Sequence, residues 1–566
     1  MKTLICSVYE AGGDDPFLSL LPVGVGSLVA VLRNAGFPAK AANFYGLSFE
    51  KIRKILYVEH PDLLGISVMT HNRHDSIRLA ELAKELNPAC FVVFGGPHAT
   101  HRCREILSEN SSVDAVVVGE GEETLRELAE LLAKTTMNSF PTSPLIQGGH
   151  RGVGGHRGGA ALRGLAFRDG DGIVVTSPRP PLPDLDALPL AFTGFERGIN
   201  IDLHNQLEFL ISSRGCPAAC TFCSSPHFWG KSLRFRSPRN MVEEIRTIRT
   251  RYGLIYFSIR DDTFTSDRKR VIEFCRLLLE ERLFILWNCQ SRVSAVDEEM
   301  LLWMRRAGCD CIQYGVESGS PAILKALGKR ITREQIVQAS EATRKVGIRL
   351  SIYLMTGIHG ETEVELRESL KLLESLKADD GQVSPLAYYP GTRLFDAAVE
   401  RRDVPADLFE RSPAEALYVR DDPFVMSATH KLLMQIEQCA PNTLSVKQNS
   451  AAARQRTGYC HASNITAGEL LAETGDFTGA EKQYQEIVRH ESDNPWGWLL
   501  LGELWRDTGQ SGKALRAFRR LAELVPAHLP AWDALADLCR MSGDLTEARR
   551  CRERARKLVK SAESPG

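Results

Sequence analysis

Three things are missing from this 566-residue chain. It has no long apolar run: no stretch approaches the roughly 20 consecutive apolar residues that a membrane-spanning helix requires. It has no excess of either charge, with 70 Lys plus Arg against 71 Asp plus Glu and a formal net charge of −1, so nothing points to a nucleic-acid or anionic-membrane partner. The opening Met1-Lys2-Thr3-Leu4-Ile5-Cys6-Ser7-Val8-Tyr9-Glu10 has too short an apolar core for a secretory signal. Together these absences predict a cytoplasmic protein that engages neither nucleic acid nor membrane. In that reducing setting most of the 14 cysteines, such as Cys90, Cys275, Cys309 and Cys539, read as buried thiols rather than disulfides. Cys309-Asp310-Cys311 reads as the start of a strand, with alternation placing both thiols on one face.

What is present is a repeated alternation of short apolar strands and amphipathic helices. Residues 1–134 read as five strands (Thr3–Tyr9, Ala39–Phe44, Leu63–Val68, Phe91–Phe94, Ala115–Val118) with helices at Gly24–Asn34, Asp75–Asn87 and Glu122–Lys134, a doubly wound, flavodoxin-like or Rossmann-like α/β domain. Residues 135–204 read as a linker, with a Gly-, His- and Arg-rich insert and a hairpin around Asp169-Gly170-Asp171-Gly172. In the insert, Gly148-Gly149-His150 and Gly155-His156-Arg157 have metal-binding chemistry, but a flexible spacer accounts for them. Residues 205–390 hold six further strand–helix units, which fit a partial (β/α)6 barrel of the TIM type. Residues 391–464 read as a helical connection. In 465–560, Gly475, Gly509 and Gly543 are spaced by 34, as are Ala480, Ala514 and Ala548, and Leu470, Leu504 and Leu538. That period resembles three tetratricopeptide repeats, an all-α tail that implies a protein or peptide partner on a concave face.

The sharpest motif is Cys216-Pro217-Ala218-Ala219-Cys220-Thr221-Phe222-Cys223, directly after the first strand of the second alternating region. Three thiols this close on a Gly/Pro-bearing loop suit three corners of a [4Fe–4S] cube, with one iron left open. A zinc site completed by His227 is the competing reading. The C-x3-C-x2-C run, with Phe222 before its last cysteine, resembles the radical SAM enzymes. That resemblance implies S-adenosylmethionine bound on the open iron.

In the first domain, Ser67 ends the third strand, Gly95-Gly96-Pro97-His98 the fourth and Gly119-Glu120-Gly121 the fifth, all at the carboxyl edge where such sheets bind ligands. Paired glycines let a flat ligand approach backbone amides. This set is similar to the cobalamin-binding domain that precedes many radical SAM barrels, and implies cobalamin contacts at those residues. The chain lacks the Asp-x-His-x-x-Gly string whose His ligates cobalt in many cobalamin proteins. Pro22 stands near that place, so the cofactor is expected base-off with no protein nitrogen ligand.

The barrel-like region adds Asp261-Asp262 after its second strand, Arg292 after its third, Glu317-Ser318 after its fourth and Gly357-Ile358-His359-Gly360-Glu361 after its fifth. The resemblance implies Asp261 or Asp262 on the ammonium of S-adenosylmethionine, Arg292 on its carboxylate, and Glu317 and Ser318 on the ribose. His359 stands where the family more often has proline. The expectation is therefore a cobalamin-dependent radical SAM methyltransferase acting on an unactivated carbon of a small-molecule or peptide substrate, with an electron donor such as flavodoxin or ferredoxin. Two rivals remain: a rearrangement, cyclisation or oxidation without methyl transfer, and an interaction protein with a degenerate barrel. A methylthiotransferase needs a second cluster in the first domain, for which Cys6, Cys90 and Cys103 are unconvincing ligands.

Overall fold

The computed structural model describes residues 1–10, 19–134, 162–411, 422–440 and 452–563. The Gly- and His-rich insert, with Gly148-Gly149-His150 and Gly155-His156-Arg157, lies outside them. The chain divides into two compact units: residues 1–206 with 215–234 and 387–417, and residues 207–214 with 235–386 and 418–566. The boundaries read from sequence differ from this division. The cysteine loop groups with the first unit, and the 391–464 connection is split between the two.

In the first unit, strands β1 (Thr3–Tyr9), β2 (Ala39–Tyr45), β3 (Leu63–Ser67), β4 (Phe91–Gly95) and β5 (Ala115–Val117) pair in parallel in the order 2-1-3-4-5, the flavodoxin-like winding. Their runs of Val, Ile, Leu and Phe are buried, as a sheet covered on both faces requires. The hairpin β6 (Leu165–Asp169) and β7 (Gly172–Val175) is not a separate linker element. It extends this sheet antiparallel from β5. Helices α1 (Val23–Asn34), α3 (Arg73–Leu86) and α6 (Glu122–Lys134) fall where the periodicity places them. Helix α2 (Phe49–Glu59) and the short pair α4 (Pro97–His101) and α5 (Cys103–Glu109) were not read from the sequence. Helix α2 buries only Ile52 and Leu56, too few apolar positions to mark a period.

The second unit holds β8 (Phe209–Leu210), β9 (Tyr256–Ile259), β10 (Leu286–Ser291), β11 (Cys309–Glu317), β12 (Arg349–Thr356) and β13 (Asp380–Pro385), all parallel and neighbours in chain order. Helices α7 (Pro238–Tyr252), α8 (Arg268–Glu280), α9 (Glu298–Arg306), α10 (Arg333–Lys345) and α11 (Glu363–Leu376) cross between them, and α12 (Pro423–Cys439) packs on β13. Each crossing helix starts on a side-chain cap: Ser237, Asp267, Asp297, Thr332 and Thr362. Thr332 with Gln335 and Thr362 with Glu365 form full capping boxes. One strand detail overturns the sequence expectation. The β10–β11 register shifts between Trp287 and Asn288, which leaves Asp310 as an extra residue. Cys309 then pairs with Trp287 and Cys311 with Asn288, so the two thiols occupy opposite faces.

Residues 461–563 form three helix pairs: α13 (His461–Glu473) with α14 (Phe477–His490), α15 (Pro495–Asp507) with α16 (Ser511–Leu524), and α17 (Leu529–Met541) with α18 (Leu545–Glu563). The period has a backbone cause, because Gly475, Gly509 and Gly543 turn each pair at positive φ (79°, 75° and 84°). The array packs on the amino ends of strands β9–β11. Arg305, 1% exposed, donates to the carbonyls of Cys309 (3.2 Å) and Ala462 (3.0 Å) and to Ser463 Oγ (3.3 Å) and Thr466 Oγ1 (2.9 Å). A Cβ on Gly253 would lie 2.3 Å from the Ala527 carbonyl carbon, and His528 Nδ1 sits 3.0 Å from the Gly253 oxygen. Leu286 shares one apolar cluster with Ile465, Tyr484 and Leu501.

Candidate functional site

In the first unit, the candidate residues lie at the carboxyl ends of β3, β4 and β5. Gly96 has φ 98°, and a Cβ there would press to 2.8 Å from the Val68 oxygen, so only glycine fits. Gly119, at φ 81°, faces open space and donates its N–H to Thr100 Oγ1 at 3.1 Å. Gly24 is equally open, and Pro22 starts α1. A glycine-edged cradle of this kind could hold a broad flat ligand. Ser67 is half-buried at the rim, Gly95 follows it in register, and Gly121 lies against Leu28. Three of the sequence candidates are otherwise engaged. Pro97 is the first residue of α4. His98 is 4% exposed and 3.2 Å from Thr70 Oγ1, and burial pulls its imidazole down to about 3, so it stays neutral. Glu120 accepts from Leu182 N at 3.2 Å and forms an ion pair with Arg234.

That ion pair ties the cysteine loop to the sheet. Arg234 also donates to the Leu182 carbonyl (2.9 Å). The loop itself is closed: Gly215 has φ 94°, a Cβ there would lie 2.3 Å from the Ser232 oxygen, and Cys216 N reaches the Gly230 carbonyl at 3.4 Å. Leu394 N donates to Thr221 O at 2.9 Å, and Arg393 donates to Ala219 O, which pins the loop from outside. Cys216 and Cys220 are 6% exposed and Cys223 is half-buried. Three thiols on one rigid loop are the donor set a cluster takes. His227 is not drawn into a shared ligand set: among the described residues, no group of three or more His, Cys, Asp or Glu is arranged to hold one metal ion. A cube takes one thiolate on each of three irons, so its ligands need not converge on a point. His101, at the end of α4, has its protonation disfavoured by burial and by the neighbouring His227. Breaking the nearly buried Arg234–Glu120 pair costs about 3–5 kcal/mol. Glu120→Ala is therefore expected to lower both Tm and iron retention. Unchanged iron content at an unchanged Tm would show that the pair does not hold the loop.

In the second unit, Asp261 is a positioning residue rather than an open carboxylate. It is 1% exposed and accepts from Ser212 N (2.6 Å), Ser213 N (3.0 Å) and Ser212 Oγ (2.6 Å). It thereby fixes the backbone three residues before the cysteine run, while its neighbour Asp262 is exposed. Ser318 is likewise buried, 3.2 Å from Ser369 Oγ, and accepts from Ser320 N at 3.1 Å. Neither Asp261 nor Ser318 is open to a ligand in this arrangement. Arg292 is half-buried at the end of β10. Glu317 is 5% exposed at φ 68°, a left-handed conformation uncommon for a side-chain-bearing residue. Its Oε1 lies 2.5 Å from Lys329 Nζ, and its buried Oε2 has no hydrogen-bond partner. A Cβ on Gly315 would fall 2.7 Å from that Oε1 and 2.8 Å from Nζ, so the pair fills the space above Gly315. Sequence reasoning missed Lys329. Its signal is a lysine just beyond the short helix Pro321–Ala326, which nothing local distinguishes from a helix-end cation.

Glu361, in the loop after β12, accepts from Gly357 N at 2.7 Å, and burial raises its carboxyl to about 6. Because that value lies above the 4.5 of the unfolded chain, its contribution to stability is complete below pH 4.5 and is lost as pH rises through 6. Glu361→Gln should thus gain on wild type between acidic and neutral pH in denaturant melts. A constant difference across that range would count against a buried, protonated Glu361.

Two family models match the chain: the B12 binding domain over residues 17–129 and the radical SAM superfamily over residues 210–373. An uncharacterised methyltransferase of Pyrococcus horikoshii is 32% identical over 364 residues, spanning 62% of this chain and 72% of that protein. The chain belongs to the radical SAM superfamily. Within it, the B12 binding domain makes this a cobalamin-dependent radical SAM enzyme, whose cofactors are a [4Fe–4S] cluster, S-adenosylmethionine and cobalamin. The anaerobic magnesium-protoporphyrin IX monomethyl ester cyclase of Rubrivivax gelatinosus is 28% identical over 70% of this chain and 69% of its own length. The fold of this radical SAM enzyme is similar to that of the methyltransferase TsrM from Kitasatospora setae, solved with cobalamin and a [4Fe–4S] cluster, with a TM-score of 0.60 at 15% identity over 86% of this chain and 99% of that one. Among the described residues, no helix is long and apolar enough to cross a membrane.

Proposed function

We propose that this enzyme methylates an unactivated carbon, with Cys216, Cys220 and Cys223 as the cluster ligands and the glycine-edged cradle of β3–β5 as the cobalamin seat. The observation that carries the reading is the closed Gly215–Gly230 loop, bearing all three thiols and tied through Arg234 to Glu120 at the end of β5. Reductive cleavage of S-adenosylmethionine at such a cluster supplies a 5′-deoxyadenosyl radical, and methylcobalamin supplies the methyl group. The protein's share is to bind, orient and exclude water. Asp261 sets the approach to the cysteine loop. The Lys329–Glu317 pair and Arg292 offer charge to the ammonium and carboxylate of S-adenosylmethionine, with Asp262 as an exposed carboxylate in addition to them. The second unit is read as a partial barrel, and the three helix pairs as tetratricopeptide repeats. Their packing on the strand ends, through Ala462 of the first pair, Leu501 of the second and Ala527–His528 at the start of the third, supports a structural role, with any protein partner on the faces turned away from the sheet. A low-potential electron donor such as flavodoxin or ferredoxin completes the cycle.

Ring formation without methyl transfer is the second reading, because one relative is a cyclase by name. Product mass separates the two: methylation adds one CH2. The cobalamin seat has its own test. With Pro22 near the place of the usual histidine, paramagnetic resonance of the protein loaded with cob(II)alamin should show no axial nitrogen splitting. A nitrogen triplet overturns the base-off arrangement, and failure to retain cobalamin overturns the seat.

A further inference from the structure

The sheet of the second unit has two unlike faces. On the outer face Trp287 packs against Phe264 and Phe274, and Tyr314 hydrogen-bonds Thr343 of α10 at 2.9 Å. On the inner face, the middle positions of β9, β10 and β11 are Tyr, Ser, Asn, Gln, Cys and Gly, with no branched aliphatic among them. Parallel strands covered on both sides usually read as continuous apolar runs, and barrels closed for stability are filled with layers of Val, Ile and Leu. An alternating pattern in parallel strands therefore marks an inner face kept for a ligand.

The polar groups on that face are ordered. In one tier, Ser258 Oγ donates to Asn288 Oδ1 (2.7 Å), and Asn288 Nδ2 donates to Tyr256 Oη (2.9 Å). In the next tier toward the carboxyl ends, Gln290 Nε2 donates to Gln313 Oε1 (3.1 Å), and Gln313 Nε2 points to Gln382 Oε1 at 3.5 Å. The second contact passes over β12 to reach β13, and at that length it is too weak to serve as a staple for the fold. Gln382 is exposed, and Gln290 and Gln313 are half-buried, so the row is accessible. Three carboxamides in a row present carbonyl and amide groups without net charge. That matches the alternating N–H and C=O of a peptide backbone, and does not match a hydrocarbon or a flat macrocycle. An apolar occupant would strip water from these groups and return no hydrogen bond, at about 1–3 kcal/mol for each.

We propose that Gln290, Gln313 and Gln382 form a substrate-binding row for an amide-bearing molecule, the backbone of a peptide. This rests on the radical SAM reading above for its chemistry. The test uses the reconstituted holoenzyme with dithionite as the electron source and two probes, perdeuterated triglycine and perdeuterated decane. A C–D bond of the bound probe breaks homolytically, its deuterium joins C5′ of the adenosyl radical, and a carbon radical stays on the probe. The readout is the fraction of 5′-deoxyadenosine that carries deuterium, which is independent of the total rate. The expected result is label from triglycine and not from decane, with the fraction cut about tenfold in Gln313→Leu, as loss of about 1.4 kcal/mol of binding implies. Gln382→Leu, at an exposed position, gives the same comparison if Gln313→Leu does not fold. Label from decane, label from neither probe, or an unchanged fraction in the variants overturns the proposal. Absence of any 5′-deoxyadenosine overturns the radical reading itself, and the proposal falls with it.

Discussion

Replacing Cys216, Cys220 or Cys223 by Ala is expected to abolish 5′-deoxyadenosine formation. A cube with an open iron needs all three protein thiolates, and no other thiol lies on this loop to stand in for one. The effect should be all-or-none at each position, and bound iron should fall with it. Tm should change less than iron content, because Gly215, Arg234 and the contacts from residues 393 and 394 hold the loop besides. Cys220→Ala is the most informative variant, since Cys220 is 6% exposed and lies beside Ala219, which accepts from Arg393. Full turnover in that variant would assign the three cysteines some other role.

The second large effect is expected far from the thiols in sequence. Arg305→Ala removes a guanidinium that satisfies four acceptors, the Cys309 carbonyl of the sheet and three groups of the helix pairs across the seam. Buried acceptors left without donors, together with the cavity, cost on the order of 4 kcal/mol. A chain ended near residue 460 removes Ala462, Ser463 and Thr466 at once and uncovers Leu286. It should be insoluble, whereas Arg305→Ala should fold with a strongly lowered Tm. A soluble truncated chain with the wild-type Tm would show that the repeats are an appended module. The 34-residue period predicts recruitment of a partner, with packing on the chain's own barrel or self-association as the alternatives, because a period announces a stack and does not announce what its first helix packs against.

Local signals were legible and long-range pairings were not. The capping boxes at Thr332 and Thr362, the positive-φ glycines of the helix pairs and the C-x3-C-x2-C loop each act within a few residues, so their spacing carries the structure. Asp261 shows the converse. Its position after a strand fits a ligand contact, yet three donors from Ser212 and Ser213, 49 and 48 residues earlier, consume its carboxylate. Glu120 fails in the same way, through an arginine that a reading of its own motif does not include. Phe409 packs on His98 at 5.7 Å from a segment that carried no pattern of its own. The bulge at Asp310 reversed one thiol's face because strict alternation holds only while the register does. Glu317 was legible as a site residue, but its lysine was not, since twelve residues and a helix separate the two.

The most direct measurement of the central claim is anaerobic reconstitution with iron, sulfide and cobalamin, followed by assay of S-adenosylmethionine products under dithionite. A cobalamin-dependent radical SAM methyltransferase makes both 5′-deoxyadenosine and S-adenosylhomocysteine, and loses the second when cobalamin is omitted. The account predicts that pattern for the wild-type chain and no 5′-deoxyadenosine for Cys220→Ala. Protein that carries full iron and cobalamin yet makes neither product would contradict it.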